Sequence, residues 1–491
     1  MEARRHRRSP GLALSVRSRD LALLAVLTAI GFLLRLLASQ ESLYADELFT
    51  YSIVTQPTLA EVLDQIEVTE NTPPGFYLLG WLAAKIHEPT LFARLPSMVF
   101  GAAAVPAVYL LTRSIGGRRA GLLAAALIAV APFAVFFGSE ARAYAMLTCL
   151  LPLSTLALLR AVESDRGVRW WVLYWLAATA ALYSHYIAVF TLALQACWAL
   201  WLARARWQSI VVANAAVGLA FLPWFVTTDG NKSLARAIEV LHPLTVENVL
   251  RDTGQALVGH PAAPLGDLPG ALGLGMLALA AAIAVFAHLR GPKEAAAGPS
   301  RRHVGLTAAL VAGPLAATLV YSLIDISLFI PRNLIVVVPY ACVLAGLAIG
   351  GLAKPKAAAA GALAVGAMLL GSIEALLEYP RPDLRGAAEL IEDRSRPGTP
   401  VIEPLFAGPG PTRPPSLDIY LDSAYPLTSG FPSAEDWPRT RVVYTVVLDI
   451  PLLRRRLDGA ARRVGAALVD RTVLDGLADI SVSRYERSRR G

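Results

Sequence analysis

Cysteine, lysine and charge are all scarce in this chain. Its three cysteines, Cys149, Cys197 and Cys342, lie inside apolar runs, which leaves no disulfide framework and no CxxC metal site. Five lysines stand against forty arginines, the usage of GC-rich coding common in bacteria. Charged residues make up 17% and apolar residues 55%, where an average soluble protein has about 25% charged residues. Too little polar surface remains for a soluble globular enzyme of 491 residues. The apolar runs also exclude disorder over most of the length.

The formal charge of +8 does not mark a nucleic-acid binder, because of where it sits. Six arginines fall within the first twenty residues. Most of the remaining excess lies in short loops between apolar runs, the positive-inside pattern of membrane proteins. The run Leu21–Leu37 is long enough to span, and no small-residue cleavage site follows it. It reads as a first transmembrane helix behind a basic cytoplasmic tail, residues 1–19.

Eleven runs are long enough, or nearly so, to cross about 30 Å of hydrocarbon: roughly 20–39, 91–112, 120–137, 143–160, 169–183, 187–203, 208–226, 269–289, 304–324, 333–352 and 357–377. Loops after even-numbered runs are basic, with Arg113, Arg118 and Arg119, then Arg160, Arg166 and Arg169, Arg204 and Arg206, Arg290, Lys293, Arg301 and Arg302, and Lys354 and Lys356. The orientation follows: amino terminus inside, carboxyl terminus outside. Pro73–His87 is apolar but short, and counting it as a span would invert every later loop. It reads as an interfacial helix on the outer leaflet, with Phe76, Tyr77 and Trp81 suited to that position.

Three outer regions remain around a multi-span domain, 20–377. Residues 40–90 carry eight acids and one lysine. In the loop 227–268, Val246, Val249, Leu250, Thr253 and Leu257 fall at helical spacing and predict a surface helix. The tail 378–491 has ordinary charge density. Pro382 followed by Leu384, Ala387, Ala388 and Ile391 predicts a helix. Thr399–Leu405, Val442–Leu448 and Leu477–Ser483 read as strands, and Pro409, Pro411, Pro414 and Pro415 mark a loop. The fold class is a polytopic α-helical membrane protein with a small extracytoplasmic α/β domain.

Chemistry-bearing residues collect at the outer ends. Asp46-Glu47 follows the first span among apolar neighbours, and a carboxylate held there is a candidate general base. Glu70-Asn71-Thr72-Pro73-Pro74-Gly75-Phe76-Tyr77 uses tandem prolines to break one helix and enter the next. Arg94 and Arg35 each read, alone, as arginines snorkelling to the interface. Glu140, Arg142 and Tyr144 share one short outer loop, His185 lies in the next, and Arg332 opens the tenth span. Each alone is weak. Together they put acids, cations and polar aromatics at one membrane depth, whereas inner loops carry only scattered basic residues.

On these stretches the chain resembles the GT-C membrane glycosyltransferases, in the branch of the protein O-mannosyltransferases and the aminoarabinose transferases. They are YADELFTYSIV (44–54), ENTPPGFYLLGW (70–81), RLPS (94–97), SEARAYAM (139–146), SHY (184–186) and PRN (331–333). Where many members have His before the proline pair, this chain has Thr72; where many have Leu-Tyr-Tyr after it, this chain has Gly75-Phe76-Tyr77. The loop 227–268 is too short for the folded domain that eukaryotic protein mannosyltransferases insert there. The resemblance implies an inverting transfer of a sugar, mannose or another hexose or pentose, from a polyprenyl phosphate to an acceptor hydroxyl at the outer face of a bacterial plasma membrane.

In that reaction Asp46, with Glu47 beside it, matches the family's catalytic motif. Arg142 and Arg332 lead the candidates for the donor phosphate, with Arg94 and His185 behind them. Glu140 orients Arg142, and Tyr144, Tyr77 and Glu70 support the site. No obligatory metal is implied, as the first outer loop has no DxD. The partners implied are the lipid-linked sugar, membrane lipids, and a protein, glycolipid or polysaccharide acceptor; no nucleic acid is expected. A lipid-linked sugar flippase is the alternative, but it predicts substrate-facing groups on both membrane faces. A silent scaffold is a third reading, against which Asp46, Arg142 and Arg332 stand together.

A reporter inserted within Ser114–Arg118 is expected to report cytoplasm, and one fused after Gly491 the outside. An outside signal at 114–118 would make Pro73–His87 a span.

Overall fold

The computed structural model describes residues 18–70, 72–164, 167–227, 242–290, 300–404, 414–433 and 435–487. The basic tail before Ser18, Asn71, Arg166, Lys293, Pro409 and Pro411 lie outside the described residues.

Helices dominate. A chain surrounded by hydrocarbon must satisfy its backbone internally, and the runs here are rich in Ala and Leu, both strong helix formers. In chain order the helices are α1 (Ser18–Ala38), α2 (Asp46–Val54), α3 (Leu59–Thr69), α4 (Gly75–Ala84), α5 (Pro89–Phe92), α6 (Leu95–Val130), α7 (Pro132–Gly138), α8 (Tyr144–Glu163), α9 (Val168–Ser184), α10 (Ala188–Leu202), α11 (Trp207–Thr227), α12 (Val246–Val258), α13 (Ala271–Arg290) and α14 (Arg301–Ile324). A 3-10 turn, Pro331–Val337, leads into α15 (Val338–Gly350), followed by α16 (Lys354–Glu378). Among the described residues, eight helical stretches are long and apolar enough to cross a membrane. The eleven expected runs are largely helical, but 120–137 is broken at Ala131 between α6 and α7, and α9 and α10 have only 17 and 15 residues.

The stretch Leu95–Val130 is not one rod. Gly117 has φ 82° and ψ −174°, a left-handed conformation that glycine adopts without penalty. The second arm folds back on the first: a Cβ at Gly121 would lie 3.0 Å from the Tyr109 ring, twelve residues earlier. Arg118 at this turn pairs with Asp20 in the first turn of α1. The start of α1 and the 113–119 turn therefore lie at one end of the bundle, and the segment between α1 and Leu95 returns to the end it left. Within that segment α4 has ten residues, a rise of about 15 Å, half of what a span needs. This agrees with a non-spanning Pro73–His87, as the sequence predicts.

Arg35 departs from its expectation. It does not snorkel: its exposure is 1%. The second arm of α6 stops at Val130 because Pro132 brings no N–H. The Arg35 guanidinium donates to the carbonyls left near that break, Ala129 O at 3.3 Å, Ile128 O at 3.5 Å and Ala134 O at 3.2 Å. Its stem threads between glycines; a Cβ at Gly101 or Gly138 would overlap Arg35 Nε and Cδ. A buried charge is tolerable here because it satisfies carbonyls that would otherwise be orphaned in hydrocarbon.

The carboxyl-terminal tail forms a five-stranded sheet in the order β2-β1-β3-β5-β4, from β1 (Val401–Glu403), β2 (Leu427–Ser429), β3 (Val442–Leu448), β4 (Ala466–Leu474) and β5 (Ile480–Arg487). β1 runs parallel to β2 and β3, while β5 is antiparallel to β3 and β4. α17 (Leu384–Arg394) covers one face through Leu384, Ala387, Ala388 and Ile391. α18 (Pro451–Arg463) covers the other through Ala460 and Ala461, against Ile402, Trp437 and Tyr485. The central positions of β3 are buried on both faces, which explains its unbroken apolar run. The domain rests on the loop that follows α1: Ser42 donates to Asp383 at 3.3 Å, and Leu43 N–H to the Tyr420 hydroxyl at 2.7 Å.

Arg35→Met should strip the donor from these carbonyls, at about 1–3 kcal/mol for each group left unpaired, and lower the melting temperature in detergent. Gly138→Ala should do the same by displacing the guanidinium, while Gly218→Ala, with nothing near its missing Cβ, should not.

Candidate active site

Four short segments at one end of the helical bundle bring motif residues together. α2 begins at Asp46 directly after Ala45, whose φ of 51° is rare for a residue with a Cβ. The strained turn is held by Glu47, which accepts the Tyr44 N–H at 3.4 Å. The other segments are the Ser139–Ala143 turn, the His185 turn after α9, and the 3-10 turn bearing Arg332.

Glu47 and Arg94 form the inner pair, each side chain 1% exposed. Arg94 donates Nε and Nη2 to the Glu47 carboxylate at 2.7 and 2.6 Å. Its other N–H groups go to the carbonyls of Ser39, Glu41 and Ser42, at 2.7, 2.6 and 3.0 Å. All five donors are thus engaged, leaving none for a ligand phosphate. Glu47 also accepts the Ala141 N–H at 2.8 Å and faces Arg381 Nε at 3.6 Å. Burial alone would raise the Glu47 carboxyl, but Arg94 and Arg381 outweigh it and hold it below the usual range.

The second pair is Arg142 with Glu70, bidentate at 2.6 and 3.0 Å. The Arg142 guanidinium also lies 5.8 Å from the centre of the Tyr77 ring. Glu70 accepts from the Thr72 hydroxyl, which shares a 2.7 Å hydrogen bond with the Tyr77 hydroxyl. Thr72 thus bridges Glu70 and Tyr77. Glu70, not Glu140, is the carboxylate that holds Arg142. Glu140 keeps an enclosed Oε2 with no hydrogen-bond partner.

The third pair is the open one. Arg332 Nη1 donates to Asp46 Oδ2 at 2.6 Å, with the two side chains 27% and 33% exposed. Burial pushes the Asp46 carboxyl up; Arg332 and Arg142 more than cancel this and hold it below its ordinary value. His185 stacks at 5.7 Å on Tyr144, and its Nδ1 accepts the Ile187 N–H at 3.2 Å. Burial, then Arg142 and Arg332, push it down to about 3. In this arrangement it is neutral, with Nε2–H as its only donor.

Arg381 has no counterpart in the sequence expectations. It is 5% exposed, donates to Glu41 Oε2 at 3.0 Å and Ser139 Oγ at 3.2 Å, and stacks on Phe136 at 4.8 Å. The available signal was an arginine held between Pro380 and Pro382 immediately after the last apolar run.

The family model of dolichyl-phosphate-mannose-protein mannosyltransferases matches residues 71–227, from the Pro-Pro motif to the end of α11. No curated protein matches the chain. Among solved structures, ArnT from Cupriavidus metallidurans in the apo state shares 14% identity, with 95% of this chain and 97% of that chain covered and a TM-score of 0.56. The same protein bound to undecaprenyl phosphate gives 15%, 94%, 97% and 0.52. The arabinofuranosyltransferase AftD from mycobacteria gives 16% identity and 0.52, with 97% of this chain but 40% of that one covered. The chain has the GT-C fold, and the family match covers about a third of it, a stretch that includes Arg94, Glu140, Arg142 and His185 but not Asp46, Glu47, Glu70 or Arg332.

Arg94→Ala should leave the buried Glu47 carboxylate with a broken partner, a loss of about 3–5 kcal/mol and a large fall in melting temperature. Arg332→Ala, acting on a pair that is about a third exposed, should shift melting far less. Equal shifts would contradict the division into an inner structural pair and an outer open one.

Proposed function

We propose that this protein is an inverting glycosyltransferase. It moves a sugar from a polyprenyl-phosphate donor to an acceptor hydroxyl at the outer face of the membrane. The observation that carries this reading is the partly open Asp46–Arg332 pair at 2.6 Å, with Arg142 acting on the same carboxylate.

Arg332 and Arg142 bind the donor phosphate. A guanidinium presents a planar fork that matches phosphate oxygens. As Arg332 turns from Asp46 to the phosphate, Asp46 loses the cation that depresses its basicity and becomes the general base. The acceptor oxygen attacks the anomeric carbon, its proton passes to Asp46, and the C–O bond to phosphate breaks with its electron pair on the phosphate oxygen. Charge grows on the phosphate in this step, and preorganised cations stabilise it, each often worth roughly 10²–10³-fold in rate. His185, as a neutral Nε2–H donor, contributes a hydrogen bond rather than charge. Glu47 and Arg94 fix the loop that carries Asp46. The ArnT structure with undecaprenyl phosphate supports a polyprenyl phosphate as the donor lipid. The family match makes mannose the first sugar to test, with protein, glycolipid and polysaccharide acceptors alongside.

Asp46→Asn keeps the shape but accepts no proton at neutral pH. Purified protein in nanodiscs with a polyprenyl-phosphate sugar should lose about 10²-fold or more in turnover on this change, with donor affinity little altered. Arg332→Ala and Arg142→Ala should instead weaken donor use, with partial recovery in the lysine variants. Near-normal transfer by Asp46→Asn removes it from the mechanism. A flippase would move lipid-linked sugar and yield no glycosyl product.

A further inference from the structure

We propose that Glu140 is a second catalytic carboxyl of this site, which holds the proton delivered to the leaving phosphate while Asp46 takes one from the acceptor hydroxyl. This rests on the transferase reading above.

The first ground is pairing. At this end of the bundle Asp46 has Arg332, Glu47 has Arg94, Glu70 has Arg142 and Glu41 has Arg381. Glu140 has no such cation among the described residues, and its Oε2 is enclosed without a hydrogen-bond partner. Glu140 is half-buried as a whole, but an enclosed carboxylate oxygen with no donor disfavours the ionised form, whereas a protonated carboxyl is itself a donor.

The second ground is position. Glu140 sits in the turn that carries Arg142, and its carbonyl accepts the Arg142 N–H at 2.7 Å. The turn is pinned on both sides, by Ser139 Oγ to Arg381 and by Ala141 N–H to Glu47. The charged and titratable groups around the carboxyl are Glu47 and Asp46 on α2, Arg381 beyond α16, Arg142 on its own turn, Arg332 on the 3-10 turn and Tyr144 at the start of α8. Burial first, then Glu47 and Asp46, outweigh the arginines and push Glu140 up to about 7. A donor phosphate adds another negative charge and acts in the same direction.

Asp46 and Glu140 lie close enough to feel each other's charge, and an ionised and a protonated carboxyl so placed form an acid–base pair. The step balances. The acceptor O–H bond breaks and its proton goes to Asp46. The new bond forms at the anomeric carbon as the C–O bond to phosphate breaks, with the electron pair left on the phosphate oxygen. That oxygen takes the proton of Glu140. The net result is the acceptor's proton on the polyprenyl phosphate, with a proton returning from Asp46 to Glu140 between turnovers.

The test is the pH dependence of glycosyl transfer by the full-length protein in nanodiscs. Glu140 is protonated below about pH 7, so wild-type kcat should be sustained there and fall as pH rises through that region. Glu140→Gln donates a hydrogen bond but surrenders no proton. It should lower kcat about 10²-fold, abolish the alkaline fall, and leave donor KM and melting temperature near wild type. Glu140→Ala, as a second variant, should lose the same alkaline limb. A residue that only shapes the turn would move melting and leave the limb in place. Product from the wild type with an unchanged kcat or alkaline limb in Glu140→Gln overturns this inference alone. No product from the wild type overturns the transferase reading, and this inference with it.

Discussion

The end of the bundle that carries the candidate site is organised around one buried carboxylate, Glu47. Its two oxygens meet Arg94 in a fork, the Ala141 N–H and, at 3.6 Å, Arg381. Those partners belong to the start of α6, the turn before α8 and the link to the α/β domain, and Glu47 itself belongs to the first outer loop. Arg94 then spends its remaining donors on three carbonyls at the end of α1. No apolar contact could specify so many backbone positions at once, because hydrophobic packing is non-directional. Charge-assisted hydrogen bonds in a water-poor setting are both directional and costly to break singly.

This constraint separates the parts of the site that stay from those that exchange partners. Glu47–Arg94 is closed on all sides, Glu70–Arg142 is nearly so, and Asp46–Arg332 is about a third exposed. Exposure rises toward the pair that the proposed reaction uses. A phosphate can compete for Arg332 because water already reaches it, while Arg94 has no free donor to offer. The same gradient explains why adjacent acids, Asp46 and Glu47, carry different tasks: α2 turns one inward to the knot and leaves the other at the opening.

Much of the fold was legible in the sequence because a membrane imposes length and sign on it. The run lengths and basic loops place the spans, and the two-sided burial of β3 is written in Val442–Leu448. β4 and α18 were not legible for equally physical reasons. β4 is an edge strand carrying Asp470 and Arg471, so its alternation is blurred. α18 packs through small residues, Ala460 and Ala461, beneath a row of arginines. At the site, the motifs named the participants but not their pairing. Spacing along the chain suggested Glu140 as the partner of Arg142, two residues away, yet Glu70 reaches it across seventy-two residues. Arg35 read as an interfacial charge because sequence does not show that three backbone carbonyls near Pro132 need a donor inside the bundle.

Arg35 and Glu140 also mark opposite ways of handling a polar group in this setting. Arg35 is permanently charged and surrounded by carbonyls, so it acts as a staple that fixes the break between α6 and α7. That break aims α7 into the Ser139–Arg142 turn, and the turn presents Glu140 and Arg142 together. Glu140 can shed its charge by taking a proton, so it persists without a cation where an arginine could not. A fixed charge serves geometry; a titratable group with a vacant hydrogen-bonding position is free to serve chemistry. The turn therefore places beside the open Asp46–Arg332 pair a carboxyl whose proton has no acceptor within the described protein, in a site where the proposed reaction generates one on the departing phosphate.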